Sequence, residues 1–219
     1  MDIGIIGSGI VGTTLGTALV GKGHAVLMGT RDEGKLREWA EKTGGRGRGG
    51  SFADAAAHGE IVINAASGRG SLEALQMAGA DRLRDKILID ISNPLDFSKG
   101  FPPSLFVSNT ESLGERIQAA FPAAKVVKTL NTVSAVVMVD PGKVGGGEHD
   151  LFVCGNDATA KSRVTGLLKS WFGWKHVIDL GDITTARGTE MYLPLWVRLY
   201  GKLNMPAFNI HIVTATGSP

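Results

Sequence analysis

With 219 residues, a formal net charge of +2 and 43% hydrophobic residues, the chain has the size and apolar content of one generous globular domain. That charge is too small and too evenly spread to point to nucleic acid or a membrane surface, and no apolar run nears the roughly 20 residues that span a bilayer. The single cysteine, Cys154, excludes an internal disulfide framework and suits a reducing compartment; within "LFVC" it reads as core packing.

The chain begins "MDIGIIGSGIVG", with an acid at position 2 and no basic segment. It reads as a strand rather than a signal peptide, and the cytoplasm is the expected setting. Strand-like runs are expected at 3–6, 25–28, 61–64, 87–91, 126–130, 151–154 and 176–180. Several are continuously apolar, as in strands covered on both faces. Helical patterns fall between them at 11–21, 35–42, 72–78, 113–121 and 158–171. This alternation predicts a doubly wound α/β domain, a Rossmann-type parallel sheet with right-handed crossovers, over residues 1–180. The glycine cluster "GGRGRGG" (44–50) reads as a mobile loop. Residues 181–219 are expected to form a small C-terminal region that completes the second-substrate cleft, with the Ile183–Thr185 turn among the walls of a second ring. The region holds one long helical pattern over 183–203, kinked at Pro194, and a last short strand over 207–213. The apolar surface of that helix, carrying Trp196, Leu199 and Leu203, suggests a core or a homodimer seam.

Gly7-Ser8-Gly9-Ile10-Val11-Gly12 matches G-x-G-x-x-G, with a strand before it, a helix after it and a second strand ending about 20 residues on. Gly7 permits the tight turn and Gly9 lets the backbone approach a pyrophosphate. Gly12 and Gly16 bring the helix close to the sheet. The helix N-terminus would supply N–H groups and its positive dipole end to the phosphates. At the tip of the second strand, where an NAD protein usually carries Asp or Glu, stand Thr30 and Arg31. Donors and positive charge there suit a 2′-phosphate, Arg31 as a bidentate fork and Thr30 through its hydroxyl, with Lys35 one turn on. Arg46 and Arg48 read as solvated loop charges. Asp32, past the strand tip, reads as a helix N-cap. The expected cofactor is NADP.

Other dehydrogenase chemistries lack their residues. Tyr192 and Tyr200 are followed four residues later by Trp196 and Asn204, so no Tyr-x-x-x-Lys pair exists. The tail is too short for the all-helical second domain of the β-hydroxyacid dehydrogenases. No histidine suggests a base, and no His/Cys/Asp/Glu cluster has metal spacing. Hydride transfer between two cofactor rings needs neither, only close stacking and exclusion of water. The other reading is NADPH binding without turnover, as a sensor or assembly module.

The segments "GSGIVG", "GTRD", "SNPLDF", "VVKTLNTV", "FVCGND" and "GDITTARGTEMYLPLW" together resemble the coenzyme F420-dependent NADP oxidoreductase family. The likeness covers nearly the whole chain. The cytosolic domain of the membrane metalloreductases that pass electrons through flavin is a more distant relative. The resemblance implies hydride transfer between NADPH and a deazaflavin (coenzyme F420), or another flavin-like acceptor such as FMN or FAD. It implies that Ser8 to Val11, Thr30, Arg31 and Lys35 hold the adenosine end, and that Ala65, Ala66 and Ser67 line the nicotinamide ribose. Asn93, Pro94 and Ala135 would frame the nicotinamide ring. Asn131 and Val133 occupy positions that touch the deazaflavin in archaeal members, which tend to have a histidine where this chain has Asn131. For Asp182, Arg187 and Glu190, capping or pairing is the expected role.

Overall fold

The computed structural model describes residues 1–215. From the N-terminus run β1 (Asp2–Ile6), α1 (Ile10–Gly21), β2 (Ala25–Gly29), α2 (Arg37–Lys42), β3 (Gly47–Gly50), α3 (Phe52–His58) and β4 (Ile61–Asn64). Then come α4 (Gly68–Ala78), α5 (Ala80–Leu83), β5 (Ile87–Asp90), a hairpin of β6 (Leu95–Asp96) and β7 (Ser104–Leu105), α6 (Leu113–Ala120) and β8 (Lys125–Thr129). The last third holds α7 (Ala135–Val139), β9 (Asp150–Cys154), α8 (Ala158–Phe172), β10 (His176–Asp179), α9 (Ala186–Met191) and α10 (Leu193–Leu203).

Eight strands form one sheet in the order β10-β9-β8-β5-β4-β1-β2-β3. The order reverses between β1 and β4, which is where open α/β sheets place a crevice for ligands. From β3 to β8 every pairing is parallel, whereas β9 runs antiparallel to β8 and β10 parallel to β9. A parallel return needs a crossover along the length of the sheet. The five residues of α7 span only about 7.5 Å at 1.5 Å each, so the chain re-enters from the edge it left and β9 is reversed.

Helices cover both faces of the sheet. On one, Leu15 and Leu19 of α1 join Val137 of α7 and Val164 and Leu168 of α8 over Ile3, Ile5 and Val127. On the other, Ala55, Leu75, Ile117 and Ala186 of α3, α4, α6 and α9 pack over Ile6, Val62, Leu88 and Val126. Strand alternation sends neighbouring residues to opposite faces, and both faces are dry, so the strands read as apolar runs. Cys154 is buried in the second cluster, and burial first of all holds its thiol above the ordinary pKa.

Several expectations are corrected. Residues 47–50, read as part of a mobile loop, are β3, paired in parallel with Val26 to Gly29. The strand lacks an apolar pattern because bulk would collide: a Cβ at Gly47 would meet Trp39 at 2.8 Å, and one at Gly49 would meet Leu36 at 2.8 Å. Helix α3 was not expected, yet Ser51 and Asp54 form a reciprocal capping box at its start. The 183–203 pattern divides into a 3₁₀ turn (Ile183–Thr185), α9 and α10, with Pro194 inside the first turn of α10, where a missing N–H costs nothing. Residues 207–213 form no strand; the Asp150 N–H donates to the Ile210 carbonyl at 3.1 Å without a ladder. Among the described residues no helix is long and apolar enough to cross a membrane.

Candidate functional site

The β1–α1 turn carries the glycine motif. Gly7 has φ of 115°, a left-handed conformation, and a Cβ there would lie 2.7 Å from the Ala65 backbone. Gly12 packs so closely that a Cβ would meet the Gly7 carbonyl at 2.1 Å. Gly9 is the N-cap of α1 and is open: a Cβ there would meet nothing within 4 Å. No side chain caps α1 and no acid lies in its first turn, so its leading N–H groups and positive dipole end are left for an external anion. This is a fit for a pyrophosphate.

Two cavities meet at this turn. The first, about 310 Å³, is lined by Gly7, Ser8, Gly9, Thr30, Arg31 and Lys35. The second, about 670 Å³, is lined by Ile10, Val11, Arg69, Ser92, Asn93 and Phe97. Gly9, Ala65, Ala66 and Ser67 border both, so the two are continuous along the carboxyl edge of the sheet. In the first, the Thr30 hydroxyl accepts from Ser8 Oγ at 3.0 Å and from the Asp32 N–H at 3.3 Å, which leaves its own proton to donate. Arg31 makes no ion pair among the described residues. Two acids share the cavity, Asp32 and Glu73. Asp32 sits at the N-cap position of a 3₁₀ turn, but its side chain makes no capping bond and instead faces Lys35 at 3.8 Å. Arg46 and Arg48 line neither cavity, and Arg48 contacts His58 at 3.4 Å.

The remaining expected residues stand behind the second cavity or beside it. Pro94 and Val133 are buried, and Ala135, half-buried, begins α7. None of these three lines either cavity, and neither does Asn131, whose side chain is spent on Asn93. Leu130, at φ 61°, turns the chain out of β8 toward that contact, a conformation uncommon for leucine. The Ile183–Thr185 turn, expected near a second ring, is on the opposite edge. Because β10 runs against β8, it emerges beside Lys125 and Asp157, with which Thr184 lines a separate cavity.

The "VVKTLNTV" segment owes part of its character to an ion cluster absent from the expectations. Lys128 Nζ lies 2.8 Å from Asp90 Oδ2 and 2.8 Å from Glu190 Oε1, and all three side chains are buried. Burial opposes the Lys128 ammonium, but the two carboxylates outweigh it and hold its pKa above the ordinary value. Glu190 also accepts from the N–H groups of Leu113 and Gly114, at 2.8 and 3.0 Å, and so caps α6. Arg187 pairs with Glu115, and Asp182 accepts from the Thr184 N–H. All three acid or base residues of this segment therefore cap or pair. Cavity residues outside the expectations include Phe52, Glu73 and Met77 in the first cavity and Arg69, Ser92, Asp96 and Phe97 in the second, where Phe97 is 57% exposed. Only the aromatic at position 97, in the "SNPLDF" segment, was open to notice in the sequence.

Fold and turn together are those of the Rossmann-type oxidoreductases. The family model described as NADP oxidoreductase, coenzyme F420-dependent, matches residues 2–94. A candidate F420-dependent NADP-reductase from Arthrobacter sp. FB24 superposes with a TM-score of 0.94 at 52% identity, covering 98% of this chain and 100% of that one. The F420-dependent NADP reductase of Methanothermobacter thermautotrophicus is 26% identical over 91% of this chain and 89% of its own length. Metalloreductase STEAP3 of Rattus norvegicus is 30% identical over 89% of this chain, which spans 37% of that protein. The chain belongs to the coenzyme F420-dependent NADP oxidoreductase family, a family of NADP-dependent oxidoreductases.

Proposed function

We propose that the chain binds NADP(H) along the two connected cavities and moves a hydride between NADPH and a planar acceptor, coenzyme F420 or a flavin (FMN or FAD). The observation that carries this reading is the position of Arg31, without an ion-pair partner among the described residues, at the far end of a continuous trough whose middle is the uncapped start of α1. Arg31, Thr30 and Lys35 hold the 2′-phosphate, and the Gly7–Gly12 turn holds the pyrophosphate. Ala65, Ala66 and Ser67 lie along the nicotinamide ribose, with the ring over Ser92 and Asn93. Asn131, Val133, Pro94 and Ala135 support the ring site from behind. When bound, the cofactor supplies the hydride and the protein supplies position. The charged residues on the wall of the second cavity, Arg69 and Asp96, pair with each other at 2.6 Å, so the wall presents no free acid or base. NADPH is oxidised to NADP⁺ as the acceptor gains the hydride, and any further proton comes from solvent. We place the protein in the cytoplasm, as a homodimer.

The test is anaerobic oxidation of stereospecifically deuterated NADPH with F420, FMN and FAD in turn. One acceptor should accelerate loss of deuterium from the cofactor; with F420 the label should stay on a ring carbon of the reduced acceptor, whereas on a reduced flavin it sits on a ring nitrogen and exchanges with solvent. Tight NADPH binding with no acceleration by any of the three would favour the binding-only reading. Deuterium in solvent with F420 as the acceptor would mean that a protein group exchanges the transferred hydrogen.

A further inference from the structure

Asp90, Lys128 and Glu190 place two carboxylates and one ammonium in a sealed space, with side chains 0%, 0% and 2% exposed. Two negative charges and one positive leave a formal charge of −1. The cluster backs directly onto the second cavity through Ser92. Asp90 Oδ1 accepts from Ser92 Oγ at 2.7 Å and from the Ser92 N–H at 3.2 Å, while Lys128 donates to the Ser92 carbonyl at 2.5 Å. Ser92 lines that cavity. Asn64 donates to the same Asp90 oxygen at 2.8 Å and accepts from the N–H of Ala66, another lining residue. Part of the Glu190 charge is met by the positive end of α6, which Asp90 does not share.

We infer that this buried cluster makes the second cavity favour the oxidised, positively charged nicotinamide ring over the neutral reduced one, and so lowers the reduction potential of the bound cofactor. The inference rests on the placement of NADP(H) proposed above. The 2′-phosphate and pyrophosphate are common to both redox forms, so their contacts cancel in the ratio of the two affinities. Only the ring charge differs. Buried charges are weakly screened by salt. A unit charge about 10 Å from the ring, in an effective dielectric of about 20, supports a ratio of roughly tenfold. For a two-electron couple, tenfold corresponds to about 30 mV.

The experiment is to measure Kd for NADP⁺ and for NADPH in the wild type, in Asp90→Asn, in Glu190→Gln and in the double variant Asp90→Asn/Lys128→Met. Each single change takes the cluster from −1 to 0. It should raise Kd(NADP⁺)/Kd(NADPH) about three- to tenfold, more for Asp90→Asn than for Glu190→Gln. The double variant has formal charge −1 again and should bring the ratio back toward the wild-type value, even if both affinities fall. A cluster that only holds the fold together would weaken both cofactors alike. An unchanged ratio in the single variants overturns the inference, as does a double variant that keeps the single-variant ratio. If one single variant fails to fold, the other still decides. A wild type that binds neither cofactor removes the NADP reading itself, an outcome distinct from binding with an unmoved ratio.

Discussion

Asn93 and Asn131 hold each other across the carboxyl ends of β5 and β8: Asn131 Nδ2 donates to Asn93 Oδ1 at 3.0 Å, and Asn93 Nδ2 donates to the Asn131 main-chain carbonyl at 2.8 Å. The pair joins two loops 38 residues apart and fixes the wall of the second cavity. Asn131→Ala leaves a shielded amide oxygen without its donor and should destabilise the protein by about 1–3 kcal/mol, read from urea unfolding. Asn131→Asp should cost at least as much. An Asn93 amide that flips to satisfy the new carboxylate would turn its oxygen onto the residue 131 carbonyl. A neutral result for both would mean that the loops are held by something other than this pair.

The proposed cofactor preference rests on the first cavity. Arg31→Ala should weaken NADP binding by about 1.5–3 kcal/mol, roughly ten- to a hundredfold, because a charge-assisted contact is lost. NAD lacks the 2′-phosphate, so its affinity should hardly move. Titration of both proteins with both cofactors gives the four constants. Equal NADP affinity in wild type and variant would remove Arg31 from the site.

Seven of the eight expected strands match observed ones to within a residue or so, because a strand covered on both faces has little choice but to be apolar. The glycine turn was equally legible, since its spacing between a strand and a helix is itself the signal, and the close neighbours of Gly7 and Gly12 account for two of its three glycines. β3 was hidden because its signal lies in the neighbours that require glycine, Trp39 and Leu36, and not in its own residues. Lys128 was hidden for a related reason. A lysine in an apolar strand can face solvent at an end or be paired inside, and its partners Asp90 and Glu190 are remote in sequence. Chain direction was the third gap. Nothing in residues 150–154 records that they run against β8, and that reversal is what carries the Ile183–Thr185 turn away from the cavities.

Acid should weaken a surface triad. Glu148 contacts Lys175 and lies 3.0 Å from His176 Nε2; hydrogen bonding to Lys175, then to His176, lowers its pKa from 4.5 to about 2. A folded-state pKa depressed in this way gives stability that is present above about 4.5 and is lost as pH falls toward 2. The group is exposed, so the effect should be small and should shrink in high salt. Urea midpoints at pH 5 and pH 3 should differ less in Glu148→Gln than in the wild type. An identical loss in both proteins would show that the triad does not persist in solution.

The proposed homodimer is read from the outer face of α10. Leu195 and Leu203 are 55% and 49% exposed, and Met191, Tyr200 and Met205 are exposed near them. Trp196 stacks between Tyr200 and Phe208 with ring centroids 5.6 and 5.1 Å away. A flat aromatic and aliphatic face of this kind is costly to leave in water, and a two-fold contact would cover it with the same face of a second copy. Sedimentation at micromolar concentration should give a species of twice the chain mass. Leu195→Lys and Leu203→Lys should each place a charge against its symmetry mate and shift the equilibrium to monomer, with little change in secondary structure by circular dichroism because both side chains project from the fold. A wild type that sediments as a monomer at those concentrations would mean that α10 is solvated in the isolated chain.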